Sequence, residues 1–413
     1  MDERASPVPD SLESRSSSFL SLRRLLLIGI FTRLFVDTGI QIFAPFLSIV
    51  AAGLGISIIT LGALISLRSL MGLAGPGFGS LTNSFGYRNV LRLLLLLGSA
   101  GMFIFSFSQN MLMLVAATIL MGLGLFSFAS ILQAYMSAFI PYRNRARGLG
   151  TVEVSWALAG IIGLFVSGLL IQRFDWRVPF WLLGAGLLIS FLIVGSLPGT
   201  DRTAKGLKPA VTVPNLRQLV QKLQDMVKIE ENVRSAWGAI LVAGLVVFAM
   251  VNLGMIYGTW LGSEYGLNAA QLGLVALTLG LADLTAIAFV SISGDRIGKH
   301  RLTLASTICS IAAYLLVPIL NINLFAAIGG LLFARLTFEA SMVSNILLLS
   351  EQVPTHRVKV LTLSSACVTI GVALGSIVGP IFYTTWGVIA IGLISAVAAF
   401  LASVILYRWV TEG

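Results

Sequence analysis

Charge is scarce in this chain. Only 11% of its 413 residues are Asp, Glu, Lys or Arg, whereas a soluble domain keeps about a quarter of its residues charged so that its surface stays hydrated. Much of the surface must therefore face something other than water. Cysteine is nearly absent: Cys309 and Cys367 both sit inside apolar runs, which excludes a disulfide framework or a cysteine metal spacing. Histidine is as rare. His300 and His356 lie at the edges of polar loops, so no zinc cluster or histidine-based triad can form within the apolar runs. No Gly-x-x-x-x-Gly-Lys-Ser/Thr loop occurs to cradle nucleotide phosphates, and Gly122-Leu-Gly124 is too short to replace one. The expectation is a protein without cofactor or metal, neither an enzyme nor an ATP-driven pump.

What the chain has in quantity is apolar length. Hydrophobic residues make up 57%, and the mean hydropathy is +0.95. A helix needs about 20 apolar residues to cross the hydrocarbon of a bilayer. Twelve runs qualify: 25–53, 56–79, 90–108, 111–140, 147–171, 178–198, 235–260, 270–293, 301–320, 322–350, 358–383 and 385–408. Their length and lack of alternation exclude barrel strands. The fold class expected is an all-α integral membrane protein with twelve transmembrane helices.

The longest polar gap, 199–234, divides the spans six and six. This gives a polar tail over 1–21, one bundle over 22–198, a linker over 199–234 and a second bundle over 235–410. The tail, rich in Ser and Pro, lacks the apolar core of a secretory signal and reads as a disordered cytosolic segment. Within the linker, Leu216, Leu219, Val220, Leu223, Met226 and Val227 fall at helical spacing, which predicts a short amphipathic helix at the membrane surface.

The net charge of +10 does not mark a nucleic-acid partner, because the positive residues are short clusters with no common basic face. They fix topology instead. Among the loops on one side, only Arg173 and Arg177 carry positive charge, and Arg33, Arg68 and Arg335 fall within spans. All the other Lys and Arg belong to the tail, the linker, the C-terminal end or loops on the opposite side. Positive residues concentrate on the cytoplasmic face, so both termini and the linker are expected in the cytosol, with the spans in the inner membrane.

The halves repeat. The loop after the second run reads Gly79-Ser-Leu-Thr-Asn83-Ser-Phe-Gly86-Tyr-Arg88, and the loop after the eighth reads Ser291-Ile-Ser-Gly-Asp295-Arg296-Ile-Gly298-Lys299. Asn83 matches Asp295 and Gly86 matches Gly298 at a common offset. Pro141 and Pro354, which follow the fourth and tenth runs, match at nearly the same offset. The second loop fits the pattern G-x-x-x-D-R-x-G-R/K. In the first copy Asn83 replaces the acid and Ser84 the Arg.

By these residues the chain resembles the major facilitator superfamily of transporters, over roughly 22–410. The resemblance implies two pseudo-symmetric six-helix bundles around a central cavity lined by spans one, four, seven and ten. It also implies that Gly79, Asn83, Gly86 and Arg88, with Asp295, Arg296, Gly298 and Lys299, form a cytosolic latch. Arg143, Arg145 and Arg147 could add to that latch. Span five has Gly160, Gly163 and Gly168 but not the Pro of antiporter-type members. Span eleven has Gly371, Gly375, Gly379 and Pro380, small residues that let helices approach and rock.

Seven ionisable residues fall inside the spans: Arg33, Asp37, Arg68, Glu153, Asp283, Arg335 and Glu339. Each is costly there unless it is paired or faces a cavity. Arg33, Asp37 and Gln41 share one helical face, as do Arg335 and Glu339, which could form a structural ion pair. With Gln133 and Asn252 they make up the expected substrate-binding set. Four acids against three arginines leave one carboxylate without a permanent cation, free to bind and release a proton. Asp37 is the first candidate, eight residues before Pro45 as in proton-coupled members of the resembled family, and Glu153 is the second.

The function expected is secondary transport of a small solute by alternating access, as proton-coupled efflux of an amphipathic or drug-like compound. An uptake symporter for an anionic metabolite is the alternative, since three arginines could hold a carboxylate or phosphate. A channel or membrane-embedded enzyme is a different class, disfavoured by short loops and the missing constellation. The partners expected are the solute, protons and the bilayer, with the chain a monomer.

Overall fold

A computed structural model of the protein describes residues 13–140, 142–198, 229 and 231–411. The predicted amphipathic helix of the linker lies outside the described residues, apart from Ile229. Eleven stretches are long and apolar enough to cross a membrane, counting one bent pair as a single span. They are Leu22–Gln41 continued by Phe43–Leu54, then Ile58–Phe85, Tyr87–Ser106, Met111–Phe139, Gly150–Arg173, Val178–Gly195, Val233–Tyr265, Ala269–Gly294, Lys299–Ile319, Leu324–Gln352 and Lys359–Trp409.

The last is 51 residues long, about 77 Å of helix at 1.5 Å per residue. The hydrocarbon core is only about 30 Å thick. Gly387 breaks this segment with φ 68° and ψ −160°, a conformation open to glycine and few others, and so makes spans eleven and twelve. Large side chains such as Phe325, Leu192 and Ile292 stand exposed on the outer surface, as a lipid-facing protein requires.

Short turns at each face follow from local chemistry. With an even number of spans, both termini lie on one side, the terminal face, opposite a far face. Spans two, four, eight and ten start at the far face. Their orphan N–H groups are capped by Ser57, Asn110, Asn268 and Asn323, each accepting a bond from a backbone N–H three residues on. Spans three and nine start at the terminal face on Gly86 (φ 74°) and Gly298 (φ 90°). The paired glycines of the sequence repeat therefore occupy equivalent left-handed turns.

Pro45 lacks the N–H that would continue the ladder of the first span, and the helix breaks just before it, at Ile42 between Gln41 and Phe43, with a bend of 58°. In the fifth span Ala159–Leu164 is a π-helical turn, a device common at functional sites.

The two bundles meet through glycines near the far face. A side chain at Gly258 in span seven would strike the backbone of Pro45, one at Gly62 in span two would strike Ser376 and Pro380 of span eleven, and Gly168 in span five abuts Ala269 and Gly273 of span eight. Towards the terminal face three glycines of spans two and five have no such neighbour. A Cβ at Gly77, Gly79 or Gly150 would meet nothing within 4 Å. The glycine contacts between the bundles thus lie towards the far face. Gly258→Val should wedge the bundles apart at the far face. With Cys309 and Cys367 replaced, an impermeant thiol reagent should then reach a cysteine at position 254 from that face at least several-fold faster. Unchanged labelling would show that the glycine contacts do not hold the far side shut.

Candidate functional site

The packing of span one against span five, where Gly163 makes room for Thr38, brings the first polar cluster together. Arg33 sits one helical turn before Asp37 and donates Nε to both carboxylate oxygens at 3.1 Å. Its two terminal nitrogens reach Glu153 in span five at 3.0 and 3.3 Å. Ser155 donates its hydroxyl to Asp37 at 2.6 Å, and Gln133 of span four donates to Glu153 at 2.7 Å. Arg33 and Asp37 are buried, at 4% and 1% exposure, while Glu153 is 46% exposed. One guanidinium therefore holds two carboxylates, one enclosed and one at the opening. Fully ionised, the triad carries a net negative charge.

Gln41 donates to the carbonyl of Trp156 at 3.0 Å. The π turn just beyond it shifts the hydrogen-bond ladder by one residue, and a carbonyl skipped by such a shift needs a side-chain donor. Arg68 serves span one in the same way. It is 2% exposed, donates to the carbonyls of Gly39 and Ile40 at 3.0 and 2.8 Å, and lies over the rings of Phe43 and Phe126 at 4.6 and 5.5 Å. It satisfies oxygens freed by the bend, and its Nε has no hydrogen-bond partner.

The C-terminal bundle holds a second cluster. Arg335 forms two parallel bonds to Asp283 of span eight, at 2.6 and 2.7 Å. The partner of Arg335 is thus Asp283, not Glu339. Glu339 is buried at 9% exposure and lies within electrostatic range of both Asp283 and Arg335. Among the described residues it has no hydrogen bond or ion pair. Asn252 is fully enclosed, donating to the carbonyl of Phe248 with Gly379 packed on its backbone. It therefore stands against span eleven.

Of the residues expected at the latch, Arg88 donates to the carbonyl of Leu197 at 3.2 Å, joining the start of span three to the end of span six. Lys299 pairs with Glu351 at the end of span ten. Arg296 and Asn83 are exposed. The side chains of Asp295, Arg143, Arg145 and Arg147 lie outside the described set. Among the described residues no group of three His, Cys, Asp or Glu could hold a metal ion.

Sequence reasoning gave no role to Ser155 or Glu351, counted Asp283 among the intramembrane acids without a partner, and offered Arg68 only as one of three arginines for an anion. Asp283 and Arg68 carried a signal, charge within an apolar run. Ser155 and Glu351 carried none beyond their residue type.

Comparison with known proteins agrees with this architecture. The sequence profile of the Major Facilitator Superfamily matches residues 29–261 and 239–413. The multidrug resistance protein MdtG of Proteus mirabilis (strain HI4320) is 22% identical over 410 residues, covering 97% of this chain and 98% of the relative. The uncharacterized MFS-type transporter YceJ of Bacillus subtilis (strain 168) is 25% identical over 64% of this chain, and the chain spans 65% of that relative's length. The probable 4-methylmuconolactone transporter of Cupriavidus pinatubonensis (strain JMP 134 / LMG 1197) is 23% identical over 79% of this chain and 74% of the relative. Among solved structures, a D-xylose-proton symporter superposes with a TM-score of 0.74 at 16% identity, over 94% of this chain and 98% of its own. The human organic anion transporter MFSD10 (TETRAN) superposes with a TM-score of 0.66 at 15% identity, over 93% and 99%. Twelve spans in two bundles, the paired glycine turns and a profile match along the whole chain agree: the chain belongs to the Major Facilitator Superfamily and is a multi-pass membrane transporter of small molecules.

Proposed function

We propose that the protein exports a small amphipathic solute from the cytosol in exchange for protons, working as a monomer in the inner membrane with both termini cytosolic. The Arg33 triad carries the reading. Two carboxylates compete for one guanidinium, and a proton on either leaves the other a private ion pair. Asp37 and Glu153 thus share one exchangeable proton. Gln133 follows Glu153, so uptake or loss of the proton changes what the cavity wall offers a solute. Gln41, Arg335 and Glu339 complete the proposed binding set, while Asn252, expected in it, is enclosed against span eleven. A solute bearing positive charge is favoured over an anion, because both clusters carry more carboxylate than guanidinium and Arg68 is spent on carbonyls. MdtG, which aligns along nearly the full chain, supports efflux over uptake. The paired turns at Gly86 and Gly298, with Arg88, Arg296, Lys299, Gly79, Asn83 and Asp295, serve as the latch that closes the terminal face when the bundles rock.

Inside-out vesicles loaded acidic and offered a panel of labelled amphipathic cations, neutral compounds and anions test this. Accumulation of a cationic or neutral amphipath, abolished by a protonophore, is the expected result. Accumulation of anions alone, or movement in the opposite sense, contradicts it. Topology provides a separate check. Tags at residue 205 and at the C-terminus should be reachable only from the cytosol, and one beside Glu264 only from outside. Residue 205 found outside would invert the assigned direction.

A further inference from the structure

The second cluster repeats the plan of the first. In each bundle an arginine is followed four residues on by an acid, Arg33 with Asp37 and Arg335 with Glu339. A further acid then comes from a neighbouring span, Glu153 in one bundle and Asp283 in the other. The difference lies in how the arginine is used. Arg33 is divided between both acids, whereas Arg335 is committed to Asp283 by two short bonds.

Glu339 is the acid left over. Asp283 lies at the midpoint of Ala269–Ile297 and Glu339 near the middle of Leu324–Gln352, so both are deep in the hydrocarbon region. Among the described residues the charged groups within range of Glu339 are Asp283 from span eight and Arg335 on its own helix. Tyr257 of span seven and Tyr314 of span nine also face the Arg335 guanidinium. An ionised Glu339 would be a buried charge beside another carboxylate, with the one nearby guanidinium already committed to Asp283, which is the arrangement buried sites avoid. As a neutral acid it asks for little. Arg335 lies on the same face one helical turn away and is 17% exposed. A change of rotamer or a small slide of span eight along span ten would hand the guanidinium from Asp283 to Glu339 and the proton the other way.

We infer that Asp283, Arg335 and Glu339 form a second proton-exchange site in the C-terminal bundle, separate from the Arg33 triad, in which Arg335 chooses one acid and the other holds a proton. This rests on the proton-coupled reading above and extends it, since a full cycle would then carry two protons.

Infrared titration of the full-length protein in lipid nanodiscs tests the inference without a known solute. Wild type should show two carboxylic C=O bands that shift in heavy water and disappear on raising the pH. Glu339→Gln should remove one, while Glu153→Gln combined with Asp37→Asn should remove the other. Glu339→Asp should keep its band at a changed position, which a merely structural role would not produce. A folded Glu339→Gln protein that retains both bands overturns the inference, as does a Glu339 band that never exchanges in heavy water. Should the Glu339 band titrate while the Arg33 triad shows none, the earlier reading of coupling fails and this site stands.

Discussion

Arg33→Ala is expected to destroy transport and to lower stability more than any other single replacement in the N-terminal bundle. Among the described residues the guanidinium is the sole cation bonded to Asp37 and Glu153, holding them through four bonds of 3.0 to 3.3 Å. Removing it leaves an enclosed carboxylate with only the Ser155 hydroxyl. Breaking a buried pair from one side typically costs about 3–5 kcal/mol. Glu153 can turn to the opening for hydration, so the figure belongs to the Asp37 end. Arg33→Lys should fall between, because an ammonium cannot fork to both acids. The double variant Arg33→Ala with Asp37→Asn should recover much of the lost stability, since no buried charge is then stranded. Thermal melting in nanodiscs reads all three. Equal melting of wild type and Arg33→Ala would show that the triad is not what holds spans one and five together.

The second large effect concerns coupling. Asp37→Asn keeps the shape and hydrogen-bonding reach of the side chain but cannot ionise, so Arg33 is left to Glu153 alone. Transport driven by a pH gradient should fall at least a hundredfold, while exchange of solute for solute across vesicles persists. Glu153→Gln should act in the same direction but less completely, because the Arg33–Asp37 pair survives it intact. The order would reverse if the exposed acid, nearer the opening, were the sole carrier. Measuring both fluxes in the same vesicles separates a lost coupling step from a lost binding site.

The spans could be read from the sequence because a bilayer imposes one length on every helix and leaves no room for irregular backbone. The equivalence of Gly86 and Gly298 was legible for a related reason, as a turn with positive φ accepts almost no other residue. The finer features were not. The first span reads as one run over 25–53, and Pro45 suggests a bend, but nothing local shows that Arg68 comes from the next helix to take the freed carbonyls. The last two spans read as separate runs over 358–383 and 385–408, yet the helix continues to Gly387 before it breaks.

Partner choice among the charges was the least legible. Spacing alone favours Arg335 with Glu339, four residues apart. Asp283, 52 residues away in sequence, wins because its approach across the helix interface allows two parallel bonds. Arg33 and Glu153 are 120 residues apart, and only the packing of spans one and five, with Gly163 making room for Thr38, brings them together. Periodicity reports which face a residue occupies. It carries no information about which helix will cover that face.

In the proposed cycle solute and proton compete within one cavity, and proton release on binding measures this most directly. A solute that accumulates in the vesicle panel is added to the purified protein in weakly buffered nanodiscs while a pH indicator is followed. The wild type should release protons in proportion to occupied sites, and the Asp37→Asn, Glu153→Gln double variant should bind the solute while releasing at least one proton fewer per site. Binding by the wild type with no proton release, or release that is unchanged in the double variant, would contradict the account.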